Sequence, residues 1–102
     1  MKFIYLANGV LGLNVLEYLI KSGSPPEGMV LHYDSDPEMI DRYKKLSGLK
    51  SDFIISAQKL QTAEGLEWSH SISPDFLISV GFRSILKSRT LSVPKLGSIN
   101  IH

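Results

Sequence analysis

The stretch KFIYLANGVLGLNVLEYLIK, residues 2–21, decides the fold. It opens with a short run rich in aromatic and branched residues that ends at the turn residues Asn8 and Gly9, which predicts a strand buried on both faces. From residue 10 to residue 21 the apolar residues recur at helical spacing, which predicts a helix. A buried strand that turns directly into a helix is typical of α/β proteins.

The remainder of the chain repeats this alternation. Further strands are predicted at residues 29–33, 52–56, 76–80 and 98–102, and helices at residues 36–46, 58–70 and, as a short turn, around Arg89 and Leu91. Strands that alternate with helices over such short spans imply right-handed crossovers and a parallel sheet. We therefore expect one α/β domain, residues 1–102, with an open Rossmann-like parallel sheet of about five strands and helices on both faces.

Composition narrows the class of function. The 11 Lys and Arg residues against 10 Asp and Glu give a net charge of +1, which offers no broad basic surface for nucleic acid. The absence of cysteine excludes disulfides and thiolate chemistry, and the three histidines lack the spacing of metal ligands, so no metal is expected. The apolar start is interrupted too early for a signal peptide or a membrane span, so we expect a cytoplasmic protein without membrane attachment.

The carboxyl ends of the predicted strands are the candidate site, because open α/β sheets bind ligands there. The polar or glycine residues at those ends include Asn8, Gly9, His32, Asp34, Gly81, Arg83, Ser84, Asn100 and His102. Residues two apart on a strand point to the same face, so Asn100 and His102 would project together. They form either a solvated strand end or part of a site. For His32, a solvated strand end is the simpler interpretation.

A glycine pattern follows the first strand. Ala7, Gly9 and Gly12 fit A-x-G-x-x-G, and Asp34 falls where a ribose-binding acid would follow, so an NAD(P)- or nucleotide-binding Rossmann module is an alternative function. Alanine replaces the first glycine of that fingerprint, however, and any tight strand-to-helix turn needs small residues. Asn8 and Gly9 are candidate substrate-binding residues because helix N-termini attract anions, although helix capping would also explain Asn8.

Residues 74–102, PDFLISVGFRSILKSRTLSVPKLGSINIH, resemble the folate-dependent formyltransferases that act on methionyl-tRNA, glycinamide ribonucleotide or amino sugars on nucleotide carriers. These enzymes share a P-D before a hydrophobic strand, a loop containing I-L, a P-x-x-G, and a strand that ends in N-hydrophobic-H. The matching residues here are Pro74, Asp75, Gly81, Ile85, Leu86, Pro94, Gly97, Asn100 and His102. The resemblance is dense over this last part of the chain and loose before it.

The resemblance implies transfer of a formyl group from 10-formyltetrahydrofolate to an amine. Asn100 would donate a hydrogen bond to the oxyanion of the tetrahedral intermediate, and His102 would stabilise charge or move a proton. The acceptor would be a small-molecule amine, and the stretch HYDSDPEM favours an amino sugar on a nucleotide carrier. The loop that would receive the pterin of the donor comprises Phe82, Arg83, Ser84, Ile85 and Leu86.

The sequence departs from the family pattern at its end. In the family, a third catalytic residue, an aspartate, and a P-S-L-L-P stretch follow the N-x-H segment, and neither follows His102 here. We therefore expect a fragment of a formyltransferase that is inactive alone. A fifth strand with nothing after it would leave an open sheet edge, so marginal stability or self-association is also expected.

Overall fold

The structure, a computed structural model, describes residues 1–101. Its strands are β1 (Phe3–Ala7), β2 (Gly28–Leu31), β3 (Ile54–Ser56), β4 (Phe76–Val80) and β5 (Gly97–Ile101). Its helices are α1 (Gly9–Lys21), α2 (Pro37–Ser47), α3 (Ala57–Leu60), α4 (Ala63–Ile72) and α5 (Ser88–Leu91), with a 3₁₀ turn at Ser51–Phe53. The strands are all parallel in the order β3-β2-β1-β4-β5, which confirms the predicted sheet. None of the helices in residues 1–101 is long and apolar enough to cross a membrane.

Strand β1 lies at the centre of the sheet, all of its side chains are buried, and only that of Tyr5 carries a polar group. Phe3, Tyr5 and Ala7 pack on one face against α1 and α2. Ile4 and Leu6 point to the other face, where residues of α3 and α4 cover them. Helices therefore lie on both faces of the sheet, as the continuous apolar run of β1 predicts.

Strand β2 ends earlier than its sequence predicts. The predicted strand 29–33 stops at Leu31, where the two neighbouring strands also stop, since Ala7 and Ser56 are the register partners of Leu31. Beyond that point a turn begins, and the Ser35 N–H donates to the carbonyl oxygen of His32 at 3.0 Å. His32 therefore lies just outside the sheet, at its carboxyl edge.

The predicted helix 58–70 is two helices. α3 ends at Leu60, and α4 begins after Thr62, whose hydroxyl oxygen accepts a hydrogen bond from the Gly65 N–H at 3.1 Å. This N-cap starts a second helix, because it satisfies one of the amides at the beginning of α4 that have no partner within that helix. Similarly, the predicted strand 52–56 begins only at Ile54, after the 3₁₀ turn.

Two buried tyrosines tie α1 to its surroundings. The Tyr5 hydroxyl donates to the carbonyl oxygen of Gly12 at 2.6 Å, and the Tyr43 hydroxyl of α2 donates to that of Gly9 at 2.7 Å. Burial raises the pKa of both phenols, so both stay protonated donors. A side chain at Gly12 would collide with the Tyr43 hydroxyl, so this glycine has a packing role whatever the turn binds.

Replacing Tyr43 by phenylalanine should destabilise the chain by about 1–2 kcal/mol, because the buried hydrogen bond from α2 to the Gly9 carbonyl oxygen is lost. Urea denaturation measures this change as a shift in midpoint at constant slope. Tyr18→Phe is the matched control, since the Tyr18 side chain is exposed. Equal midpoints for the two variants would show that the hydrogen bond contributes nothing to stability.

Strand β5 forms one edge of the sheet, with β4 as its neighbour. Its side chains are largely exposed, among them Ile99 at 45% and Ile101 at 38%, and Leu96 just before the strand is also exposed. Apolar side chains on an edge strand favour association with another chain or segment. The self-association expected from the sequence stays a prediction.

Candidate functional site

The carboxyl ends of the strands bring polar segments to one edge of the sheet. Asn8 follows β1, His32 follows β2, and Asn100 lies near the end of β5. Residues 81–87, which we call the 81–87 loop, leave β4 and run to α5 without regular structure. Because all the strands are parallel, these segments share the edge at which α/β sheets bind ligands.

A cavity of about 330 Å³ lies between the 81–87 loop and β5, and we call it the β5 cavity. Four of the five loop residues predicted to receive the folate donor line it together with Asn100. One wall is mainly apolar, and the other carries hydroxyl and amide groups, which is the composition of a small-molecule site. The full lining is Ser79, Phe82, Ser84, Ile85, Leu86, Leu91, Ser98 and Asn100.

The amide of Asn100 is oriented by the neighbouring strand. Asn100 is the register partner of Ser79, and the Ser79 hydroxyl donates to Asn100 Oδ1 at 3.0 Å. With the oxygen accepting, the amide nitrogen is the donor end of this side chain, which is the group an oxyanion requires. His102, the predicted second catalytic residue, lies outside the described residues, so the predicted catalytic pair stays a prediction.

Arg83 is the predicted donor-binding residue that the structure separates from the β5 cavity. Its guanidinium forms an ion pair with Asp34 at 2.7 Å and lies 3.4 Å from the Ser35 hydroxyl. The hydrogen bond from Arg83 holds the pKa of the Asp34 carboxyl below its usual range. Both residues line a second cavity of about 390 Å³ near the ends of β2 and β3. Asp34 is thus paired with Arg83, although it stands at the position where the acid of a dinucleotide fingerprint would bind a ribose.

Asn8 and Gly9, the predicted substrate-binding residues, lie at the turn between β1 and α1 and line neither cavity. The capping explanation for the Asn8 side chain is wrong, because it makes no capping hydrogen bond to α1. Instead Asn8 Oδ1 accepts from the Ser35 hydroxyl at 2.7 Å, which ties the end of β1 to the turn after β2. Gly9 has a positive φ of 76°, a conformation that favours glycine. Their role toward a substrate stays a prediction.

His32 is the residue whose role at this edge the sequence pattern did not reveal. It is only 8% exposed, its Nε2 accepts a hydrogen bond from the Arg83 N–H at 3.0 Å, and its ring centroid lies 4.5 Å from that of Phe82. Burial lowers the pKa of His32, and the Arg83 charge lowers it further, while Asp34 acts in the opposite direction. The imidazole is therefore neutral at neutral pH. Within residues 1–101 it belongs to no cluster that could hold a metal ion.

Gln61 holds the far half of the 81–87 loop. Its amide nitrogen donates to the Ile85 carbonyl oxygen at 2.9 Å, and its amide oxygen accepts from the Lys87 N–H at 2.7 Å. The same oxygen accepts from the Thr90 hydroxyl at 3.3 Å. His32 lies in the connection between β2 and α2, and Gln61 lies in the connection between α3 and α4. The path of an irregular loop is thus fixed by side chains from outside it.

Comparison with known proteins gives matches along the whole chain. It is 28% identical over 110 residues to the methionyl-tRNA formyltransferase of Thermotoga neapolitana and 32% identical over 111 residues to that of Clostridium tetani, and each match covers all of this chain and 34% of the relative. It is also 29% identical over 105 residues to the bifunctional polymyxin resistance protein ArnA of Wigglesworthia glossinidia brevipalpis, covering all of this chain and 16% of that protein. The chain thus spans about a third of the length of the methionyl-tRNA formyltransferases that it matches. No protein-family model matches it.

A solved structure with the same fold is the phosphoribosylglycinamide formyltransferase of Streptococcus pneumoniae. The two superpose with a TM-score of 0.66 at 22% identity, over all of this chain and 57% of that one. At this identity the likeness shows the fold alone. The relatives that match the whole of this chain are formyltransferases and ArnA, which supports the formyltransferase family for it.

Proposed function

We propose that the chain is the donor-binding part of an enzyme that takes a formyl group from 10-formyltetrahydrofolate. The observation that carries the proposal is the β5 cavity, where the loop predicted to receive the folate meets Asn100. Phe82, Ile85 and Leu86 offer apolar contact to a flat ring, and the polar wall on β4 and β5 faces them. A pterin needs both kinds of wall, because its faces are apolar and its edge carries hydrogen-bonding groups.

Asn100 and His102 are the residues that we propose to act on the reacting atoms. When bound, 10-formyltetrahydrofolate would supply a formyl carbon that an amine can attack. The amide nitrogen of Asn100 would donate to the formyl oxygen as negative charge develops on it, and the bond from Ser79 would keep that amide in one orientation. His102 would take the proton that the attacking amine gives up and pass it toward the departing nitrogen of the folate.

The acceptor that we propose is an amino sugar on a nucleotide carrier. The net charge of +1 provides no broad basic surface for a tRNA. ArnA, which matches the whole of this chain, is a relative that is not named as a tRNA enzyme. Methionyl-tRNA is the second candidate, because the methionyl-tRNA formyltransferases of Thermotoga neapolitana and Clostridium tetani match this chain. A polypeptide that contains residues 1–102 and transfers formyl groups separates the two, when it is incubated with 10-formyltetrahydrofolate and each acceptor and the products are identified by mass spectrometry.

Calorimetric titration with 5-formyltetrahydrofolate tests the donor site. The expected result is saturable binding at one site, with no heat from NAD under the same conditions. Fluorescence is a second readout, because the Trp68 indole on α4, which donates to the Asp52 carbonyl oxygen, packs against the same core cluster as Phe82 and Leu86. Binding of NAD without binding of the folate would replace this proposal by the nucleotide-binding alternative.

Replacing Ile85 by aspartate should weaken folate binding at least about tenfold, because a charge would replace apolar contact at the cavity. The side chain of Ile85 is 87% exposed in the ligand-free chain, so the fold should tolerate the change. Tyr18→Asp is the matched control, because Tyr18 is also exposed but lies on α1 and does not line the cavity. This variant should bind the folate as the unchanged chain does. Equal affinity of the two variants would remove Ile85 from the donor site.

A further inference from the structure

We infer that His32 is a positioning residue for the donor site, and that its neutral ring holds the first half of the 81–87 loop in the shape that forms the β5 cavity. This inference rests on the proposed function, because the cavity is taken as the place where the folate binds. Its basis is geometric. His32 Nε2 accepts from the Arg83 N–H at 3.0 Å, and the His32 ring packs against Phe82, which itself lines the cavity.

The contact depends on the protonation state of the ring. An imidazole nitrogen accepts a hydrogen bond only while it carries no proton, and both ring nitrogens of the charged form are donors. Protonation of His32 would therefore place two N–H donors against each other at Nε2 and the Arg83 amide. The loop would have to move away from β2, and Phe82 would move with it.

The charged groups around His32 make this change unfavourable at neutral pH. Arg83 repels a positive ring, whereas Asp34 attracts it, and Asp34 is already paired with the Arg83 guanidinium. Lys59, on the neighbouring helix α3, is paired with Glu64 at 3.1 Å. Of the strands that flank β2, only β1 carries a titratable side chain, that of Tyr5, and its hydroxyl donates to the Gly12 carbonyl.

The direction of the pH effect follows from the lowered pKa of His32. Above about pH 6.5, the ordinary value for histidine, the ring is neutral in both the folded and the unfolded chain, and the loop is held. As the pH falls below that value, the unfolded chain takes up the proton first, so the free energy of unfolding decreases. At the lower pKa of the folded chain, the native ring becomes charged and the Arg83 bond is lost. The affinity for the donor should therefore be highest at neutral pH and should decrease as the pH falls toward the pKa of His32 in the folded chain.

Calorimetric titration with 5-formyltetrahydrofolate between about pH 5 and pH 8 tests the inference. The unchanged chain should lose about tenfold in affinity at the acid end, the worth of one hydrogen bond. The amide oxygen of glutamine in His32→Gln reaches the same place and accepts a hydrogen bond without titrating. At neutral pH this variant should bind within about threefold of the affinity of the unchanged chain, and most of the pH dependence should be absent. His32→Leu should bind weakly at every pH. If His32→Gln shows the same acid loss as the unchanged chain, His32 does not control the loop.

Gln61→Ala is the control for a loop that is weakened without a titrating group. It releases the hydrogen bonds to Ile85 and Lys87, so it should lower affinity while keeping the acid loss of the unchanged chain. Any titration of the folate itself is common to all variants and cancels in the comparison. Circular dichroism would show whether His32→Leu still folds, and His32→Gln decides the question if it does not.

The amide signal of Arg83 in ligand-free NMR spectra separates this inference from the proposed function. That signal should titrate with a midpoint below about pH 6.5 in the unchanged chain and stay constant in His32→Gln. A constant signal in both overturns the inference, whatever the folate does. A titrating signal without folate binding at any pH would instead overturn the proposed function and, with it, the role of His32 toward the donor.

Discussion

Formyl transfer should fall by about 10²–10³-fold when Asn100 is replaced by alanine, while the affinity for the folate stays within about threefold. A hydrogen bond to the formyl oxygen strengthens as negative charge develops there, so its loss affects the transition state more than the bound ground state. The measured rate is that of tetrahydrofolate release. The polypeptide used is one that contains residues 1–102, of this length or longer, and transfers formyl groups. Calorimetry with 5-formyltetrahydrofolate gives the affinity.

Two further variants define the role of Asn100. Asn14→Ala changes an exposed asparagine on α1 that does not line the cavity, so it should leave the rate nearly unchanged. Ser79→Ala removes the hydroxyl that bonds Asn100 Oδ1, so it should give a smaller loss than Asn100→Ala. If Asn100→Ala weakens folate binding as much as it slows transfer, then Asn100 is a binding residue and the proposed chemistry is wrong.

Replacing Gly65 by alanine should destabilise the chain by about 3 kcal/mol, a large share of the 5–15 kcal/mol that holds a typical domain folded. The new methyl group would collide with the carbonyl oxygens of Lys59 and Leu60, and backbone atoms cannot rotate away as a flexible side chain can. In an open helix the same change would be stabilising by about 1 kcal/mol, because alanine is the better helix former. The sign of the effect therefore reports the close approach of α3 and α4.

Urea denaturation measures this loss, and Gly48→Ala is its matched control. Gly48 has a positive φ of 64° and open space around it, so alanine there meets backbone strain but no collision. The control should cost about 1 kcal/mol. A Gly65→Ala variant as stable as the unchanged chain would mean that α3 and α4 lie further apart than described.

The fold was predictable where one strong pattern determined an element. The apolar run of β1 and the helical spacing of α1 predict both elements nearly to their ends. The break between α3 and α4 was missed, because it depends on the Thr62 cap and on packing at Gly65 rather than on apolar periodicity. Strand β2 ends where its neighbours end, and pairing between strands is not visible in a single segment.

The candidate site was predictable only in part. The family resemblance singled out residues 82–86 and Asn100, and all of these except Arg83 line one cavity. It did not indicate that Arg83 would turn toward Asp34 or that His32 would hold the loop. The hydrogen bond between His32 and Arg83 joins residues 51 positions apart, and no local pattern reports a contact at that separation.

The support of the 81–87 loop by His32 and Gln61 has a consequence for engineering the site. Because both supports lie outside the loop and the Ile85 side chain is exposed, the backbone path of the loop does not depend on that side chain, whereas Leu86 packs against the core. Variant libraries at Ile85 should therefore reshape the cavity for other flat ring systems while the loop keeps its course. Libraries that include His32 or Gln61 would instead change the loop itself, and new specificity would come at the expense of a defined site.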